Sequence, residues 1–90
     1  MTLNIDLLKK KILYRSNYRG TKEMDKLLGS FTKKYIEILS LKDLKDLEKL
    51  LDIDDTNLYN YYNGLDCDFE FKENYINSLF KNFIYDIEKN

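Results

Sequence analysis

The sequence predicts an all-α protein, a small bundle of four to five short helices in a single domain spanning residues 1–90. Three observations carry this. Apolar residues recur at i, i+3, i+4 and i+7 in one segment after another. No paired alternating runs supply strands. The chain contains no proline, so its breaks fall to glycine and to Asx or Ser/Thr caps. At 90 residues, a second independent core is not expected.

Each element has its own warrant. Over Asn4 to Tyr18, Ile5, Leu8 and Ile12 share one helical face, and the same stripe continues into Arg15 and Arg19. Gly20 follows where a left-handed C-cap suits glycine. From Thr21 to Leu39 the pattern is clearest: Met24, Leu27, Leu28, Phe31, Tyr35 and Ile38 face inward. Thr21 caps this helix, and Glu23 and Asp25 occupy its first turn, where the helix dipole favours carboxylates. Gly29 interrupts the pattern at about 1 kcal/mol against alanine, which implies a close approach by another backbone.

Ser40-Leu41-Lys42-Asp43 resembles a capping box and opens a third helix carrying Leu44, Leu47, Leu50 and Leu51. Asp55 is the expected cap of a short fourth helix with Leu58, Tyr59 and Tyr62, closed by Gly64. Residues 65–69 form a connector. The last helix is expected from about Glu70 to Ile87, with Ile76, Leu79, Phe80, Phe83 and Ile87 inward. Phe69-Glu70-Phe71 alternates but is too short for a strand.

Composition narrows the function. Hydrophobic residues are 43% and charged residues 34%, a balance that folds rather than stays disordered. The chain has no histidine, which removes the commonest general base and metal ligand. There is no Gly-rich phosphate loop, no Cys/His metal spacing and no nucleophile with a partner base, so an enzyme is not expected. Cys67 stands alone in Asp66-Cys67-Asp68, so no internal disulfide forms, and an inert surface thiol is expected. Asp52-Ile53-Asp54-Asp55 lacks the glycine and terminal Glu of a calcium loop and reads as a solvated helix start. No apolar run approaches the roughly 20 residues of a membrane helix, so no membrane insertion is expected.

The net charge of −1 hides an asymmetry. Residues 1–34 carry nine Lys/Arg against three acids, a net +6, and residues 35–90 carry six Lys against thirteen acids, a net −7. Such halves either steer a partner or attract each other across the fold. With an overall pI of 5.4 and both arginines at a helix junction, nucleic acid is not the expected partner.

That junction, Arg15-Ser16-Asn17-Tyr18-Arg19-Gly20-Thr21-Lys22-Glu23-Met24-Asp25, is the candidate site. Read structurally, Gly20 is a C-cap, Glu23 a dipole partner, and the arginines snorkel from the bundle end. Read functionally, the planar, forked donors of arginine suit carboxylates or phosphates on a partner.

Leu13-Tyr14-Arg15-Ser16, then Arg19-Gly20-x-x-Glu23-x-Asp25-x-Leu27-Leu28-Gly29-x-Phe31, resembles the SdhE family, also called succinate dehydrogenase assembly factor 2 or the flavinylation factor. Leu50-Leu51 followed by Asp54-Asp55-x-x-Leu58-Tyr59-Asn60-Tyr61 resembles a second block of that family. Tyr61 stands where the family usually has Trp, Thr56 where it has Pro, and Asn57 where it has an acid. The absence of proline, tryptophan, alanine, valine and glutamine, which looks like an AT-rich coding bias, fits these departures. The resemblance covers about Ile12 to Gly64.

The resemblance implies an assembly chaperone. Its partner is the flavoprotein subunit of succinate dehydrogenase, or in some bacteria of fumarate reductase, and it promotes covalent FAD attachment there. It implies no tightly bound cofactor of its own and a monomer when free. The motif places Arg19, Gly20 and Glu23 at the contact surface, with Arg15 and Asp25 at adjoining positions. The compartment implied is the bacterial cytoplasm, or the mitochondrial matrix in a eukaryote, and the lack of an Arg/Ser-rich leader favours the former. The alternative is a small helical adaptor or antitoxin-like regulator with no flavin role.

Overall fold

The computed structural model describes residues 4–84. Five helices follow in order: α1 Ile5–Asn17, α2 Lys22–Tyr35, α3 Leu41–Leu51, α4 Asp55–Tyr62 and α5 Tyr75–Asn82. Among the described residues there is no strand, so the all-α expectation holds. α1 packs on α2 and α3, and α5 packs on α3 and α4.

Every helix opens on a short polar side chain. Asn4, Thr21, Ser40, Asp54 and Asn74 each accept the backbone N–H three residues on, from Leu7, Met24, Asp43, Asn57 and Asn77. Each such cap contributes about 1 kcal/mol against alanine. One expectation is displaced by a residue: the cap of α4 is Asp54, not Asp55. Asp54 has the extended backbone a cap needs, φ −68° and ψ 157°. Its carboxylate also accepts Asn57 Nδ2 at 2.8 Å. These bonds hold the Asp54 carboxyl below its ordinary pKa. Asp55 becomes the first helical residue and is left free for a different partner.

The core joins all five helices. Ile12, Leu28, Phe31, Leu44, Leu47, Leu50, Leu51, Leu58, Ile76 and Phe80 are fully buried in one cluster. Phe31 sits at its centre, with Phe80 and Phe83 edge-on at ring distances of 5.4 Å each. Burial of one such side chain stabilises by about 1.5–3 kcal/mol. Leu27 is buried as expected, whereas Leu79 is only partly buried against the cluster.

Four departures from the periodic reading have local causes. Ile38 is 74% exposed, and Ile36 and Leu39 are buried in its place. The helix ends at Tyr35, and a tight turn with Ile38 N–H on Tyr35 C=O at 3.0 Å breaks the 3.6-residue phase. Ile5 lies in the first turn of α1 and is mostly outside the core. The close approach at Gly29 comes from a side chain, not a backbone: a Cβ there would clash with Asn17 Oδ1.

The fourth departure is α5, which begins at Tyr75 rather than near Glu70. Phe71 stacks on Tyr61 at 3.9 Å, with Phe69 edge-on to Phe71 at 5.0 Å. That stack holds residues 69–71 outside any helix, and Asn74 then caps α5. Asn77, buried in α5, ties the segment back by donating to Lys72 C=O at 2.8 Å. Ile87, expected on the inner face, lies outside the described residues. Cys67 is half-buried rather than on the surface, with its sulfur 3.5 Å from Leu65 C=O and 3.6 Å from Asn57 C=O.

Candidate functional site

The α1–α2 junction is built by three devices. Tyr18 ends α1, Gly20 turns the chain at φ +117°, and Thr21 caps α2. A Cβ on Gly20 would meet nothing within 4 Å. Glycine is therefore required for its backbone conformation and not for space. Below the turn, α1 and α2 are joined by a buried polar pair, Ser16 Oγ and Thr32 Oγ1 at 2.7 Å. Ser16 also donates to Ile12 C=O at 2.8 Å, so neither hydroxyl is left unsatisfied.

Arg19 turns inward. Its side chain is only 11% exposed. Nε donates to Asp55 Oδ1 at 2.9 Å, and the terminal nitrogens donate to the Leu51 and Ile53 carbonyls at 2.5 and 2.6 Å. These carbonyls lie at the C-terminus of α3, where the helix dipole is negative and backbone acceptors lack partners. The cation thus satisfies one helix end and the acidic first turn of the next at once. Its backbone N–H donates to the Asp25 carboxylate. Arg15 pairs with Asp52, the C-cap of α3. The snorkelling reading does not describe Arg19.

The five motif residues therefore divide. Arg15, Arg19 and Asp25 make contacts within the chain. Gly20 and Glu23 are exposed, and no hydrogen bond or ion pair of the Glu23 side chain occurs among the described residues. Beside the turn, Tyr14 and Tyr18 are 66% and 68% exposed with ring centroids 4.6 Å apart. Sequence reasoning missed this pair. The available signal was their i, i+4 spacing, off the buried stripe.

The asymmetric charge is partly consumed by the fold. Lys9 pairs with Glu37 at 3.1 Å and Lys11 with Glu48 at 3.6 Å, in parallel with Arg15–Asp52 and Arg19–Asp55. Among the described residues, no three His, Cys, Asp or Glu side chains group to hold a metal. None of the described helices is long and apolar enough to cross a membrane.

The family model of the flavinator of succinate dehydrogenase matches residues 10–83, which enclose the whole junction and all of α2 to α5. The chain belongs to this family. A curated relative, the mitochondrial succinate dehydrogenase assembly factor 2 of Lodderomyces elongisporus, is 38% identical over 55 residues. That match covers 61% of this chain and 34% of the relative, so the chain matches about a third of the relative's length. No solved structure matches the chain. The family is thus that of succinate dehydrogenase flavinylation and assembly factors, as the sequence resemblance implies.

Proposed function

We propose that this chain docks through its α1–α2 junction on the flavoprotein subunit of succinate dehydrogenase, or of fumarate reductase in a bacterium that uses it. There it promotes the covalent attachment of FAD. The observation that carries the reading is the family match, whose limits at residues 10 and 83 enclose the junction and the elements that brace it. The linking chemistry belongs to the flavin and the client. This chain holds no cofactor tightly, acts without catalytic groups of its own, and works as a monomer in the compartment of its client. That compartment is the cytoplasm of a bacterium or the mitochondrial matrix of a eukaryote.

In this reading the motif residues act as a unit. Glu23 offers a free carboxylate beside the bare backbone of Gly20, where a partner can approach closely. Arg19 and Asp25 hold the turn that presents them, and Arg15 ties the end of α1 to α3. Docking geometry of this kind depends on a rigid supporting shell.

The test is in-gel flavin fluorescence of the dehydrogenase flavoprotein subunit, expressed in cells lacking their own factor, with and without this chain. The expected outcome is covalent flavin that rises with the chain and falls with Glu23→Ala at an unchanged melting temperature. Equal fluorescence with and without the wild-type chain sinks the reading.

A further inference from the structure

Beside the junction, α2 and α4 leave a groove of about 240 Å³ whose walls include Lys22, Glu23, Met24, Lys26, Leu27 and Tyr59. Met24 and Leu27 form part of the wall as members of the buried core. Tyr59 is 49% exposed at the rim. Drug-sized ligands and cofactors occupy sites of about 300–1,000 Å³. This groove is smaller and open, a size suited to a single anchoring side chain of a protein partner.

The charge at the rim points to what accompanies that anchor. The cations at 9, 11, 15 and 19 are paired within the chain. Lys22, Lys26 and Lys33 are all exposed, and none has an ion pair among the described residues. Their spacing places them on one face of α2, and Lys22 and Lys26 border the groove. Two of the lysines that folding leaves without an ion pair among the described residues therefore sit against an apolar slot, in excess over the Glu23 carboxylate that shares its lining.

We propose that this groove takes an acidic peptide segment of the partner, with one bulky aromatic side chain seated against Met24, Leu27 and Tyr59 and neighbouring carboxylates meeting Lys22 and Lys26. The inference rests on the reading that this side of the molecule docks the flavoprotein subunit, and adds the chemistry of the segment it receives. Aromatic anchors in desolvated pockets supply most of the energy in such contacts, and the rim charges speed and orient the encounter.

The chain has no tryptophan, so a tryptophan-bearing probe is read without background. The probe is the peptide Asp-Glu-Trp-Asp-Glu, with Asp-Glu-Ala-Asp-Glu and Lys-Lys-Trp-Lys-Lys as controls. Saturable binding of the first peptide, with a blue-shifted emission, is expected. The Lys22→Glu/Lys26→Glu double variant and Tyr59→Ser should each weaken it by about tenfold or more. Both changes are at exposed positions, where substitutions cost little stability, so the fold is retained, as a thermal melt would verify. The inference is overturned by any of three results: no saturable binding, equal binding of a control peptide, or binding unchanged in both variants. Displacement of the peptide by oligothymidylate at equal concentration would overturn it too, making the lysine face a polyanion surface. The flavin assay is run on the same variants. If wild-type chain leaves the flavin unchanged while the peptide binds, the flavinylation reading falls and the groove stands. If flavinylation works and the peptide fails, only the groove falls.

Discussion

Most cations of α1 and those of α2 share one +6 segment of the sequence but take opposite roles in the fold, Lys10 of α1 alone lacking an ion pair among the described residues. Lys9, Lys11, Arg15 and the adjoining Arg19 each reach an acid brought from later in the chain. Lys22, Lys26 and Lys33 reach none among the described residues. The difference lies in what each helix faces. α1 packs against α3, whose C-terminal end and the start of α4 supply Asp52, Asp55 and bare carbonyls. The lysine face of α2 looks away from the core. Steering a partner and holding the fold together looked like rival explanations of the charge asymmetry, and the fold assigns the internal part to α1 and leaves α2 available.

The comparison breaks most visibly at Arg19. Arg19→Ala leaves the Leu51 and Ile53 carbonyls and the Asp55 carboxylate short of donors, and should cost about 2–3 kcal/mol in a denaturant melt. Lysine should recover only part of this, because one ammonium cannot span three acceptors in a planar fork. If Arg19→Ala melts like wild type, the inward clamp is not a stabilising element, and α1 and α2 cations do not differ as described.

A middle-sized effect is expected at Arg15. Its partner Asp52 is 68% exposed, so the pair should contribute no more than about 1 kcal/mol. That contribution should fade as salt rises, since the Debye length shortens to about 3 Å at 1 M. Melts of wild type and Arg15→Ala in low and high salt check this. A gap of similar size in both salts would mean packing, not charge, holds Arg15.

The smallest effect concerns Asp54, which caps the helix that Arg19 grips. Its folded-state pKa is lowered, first by the Asn57 side-chain bond and then by the Asn57 backbone bond. The cap's ionic contribution is therefore fully present above the unfolded value of about 3.9 and is lost as pH falls through the lower folded value. Asp54→Asn, also a competent cap, should flatten that acid limb slightly in a pH series of melts. An unchanged acid limb would place the titration elsewhere.

What sequence reasoning recovered and what it missed follow the range of the interactions. Helix spans and inner faces were legible because they depend on neighbours three or four residues away, as with Leu44, Leu47 and Leu51. Errors gathered where a local pattern met a distant group. The start of α5 moved because Phe71 stacks on Tyr61, and Asp55 proved to be an arginine partner instead of a cap. The groove of α2 and α4 was invisible for the same reason, since its walls are some 35 residues apart in sequence.

The helical class, most of the core residues and the motif at the junction are legible in the sequence, because periodicity, caps and residue types are written locally. Which charges pair within the molecule depends on contacts between segments far apart in the chain. Arg19 and Lys22 stand three residues apart, and nothing local marks the first as buried and the second as free. The decision comes from α3 ending, 32 residues after Arg19, with its carbonyls aimed at that guanidinium, where desolvation makes an unpaired acceptor costly. Lys22 faces water, where its charge is already satisfied and remains open to a partner.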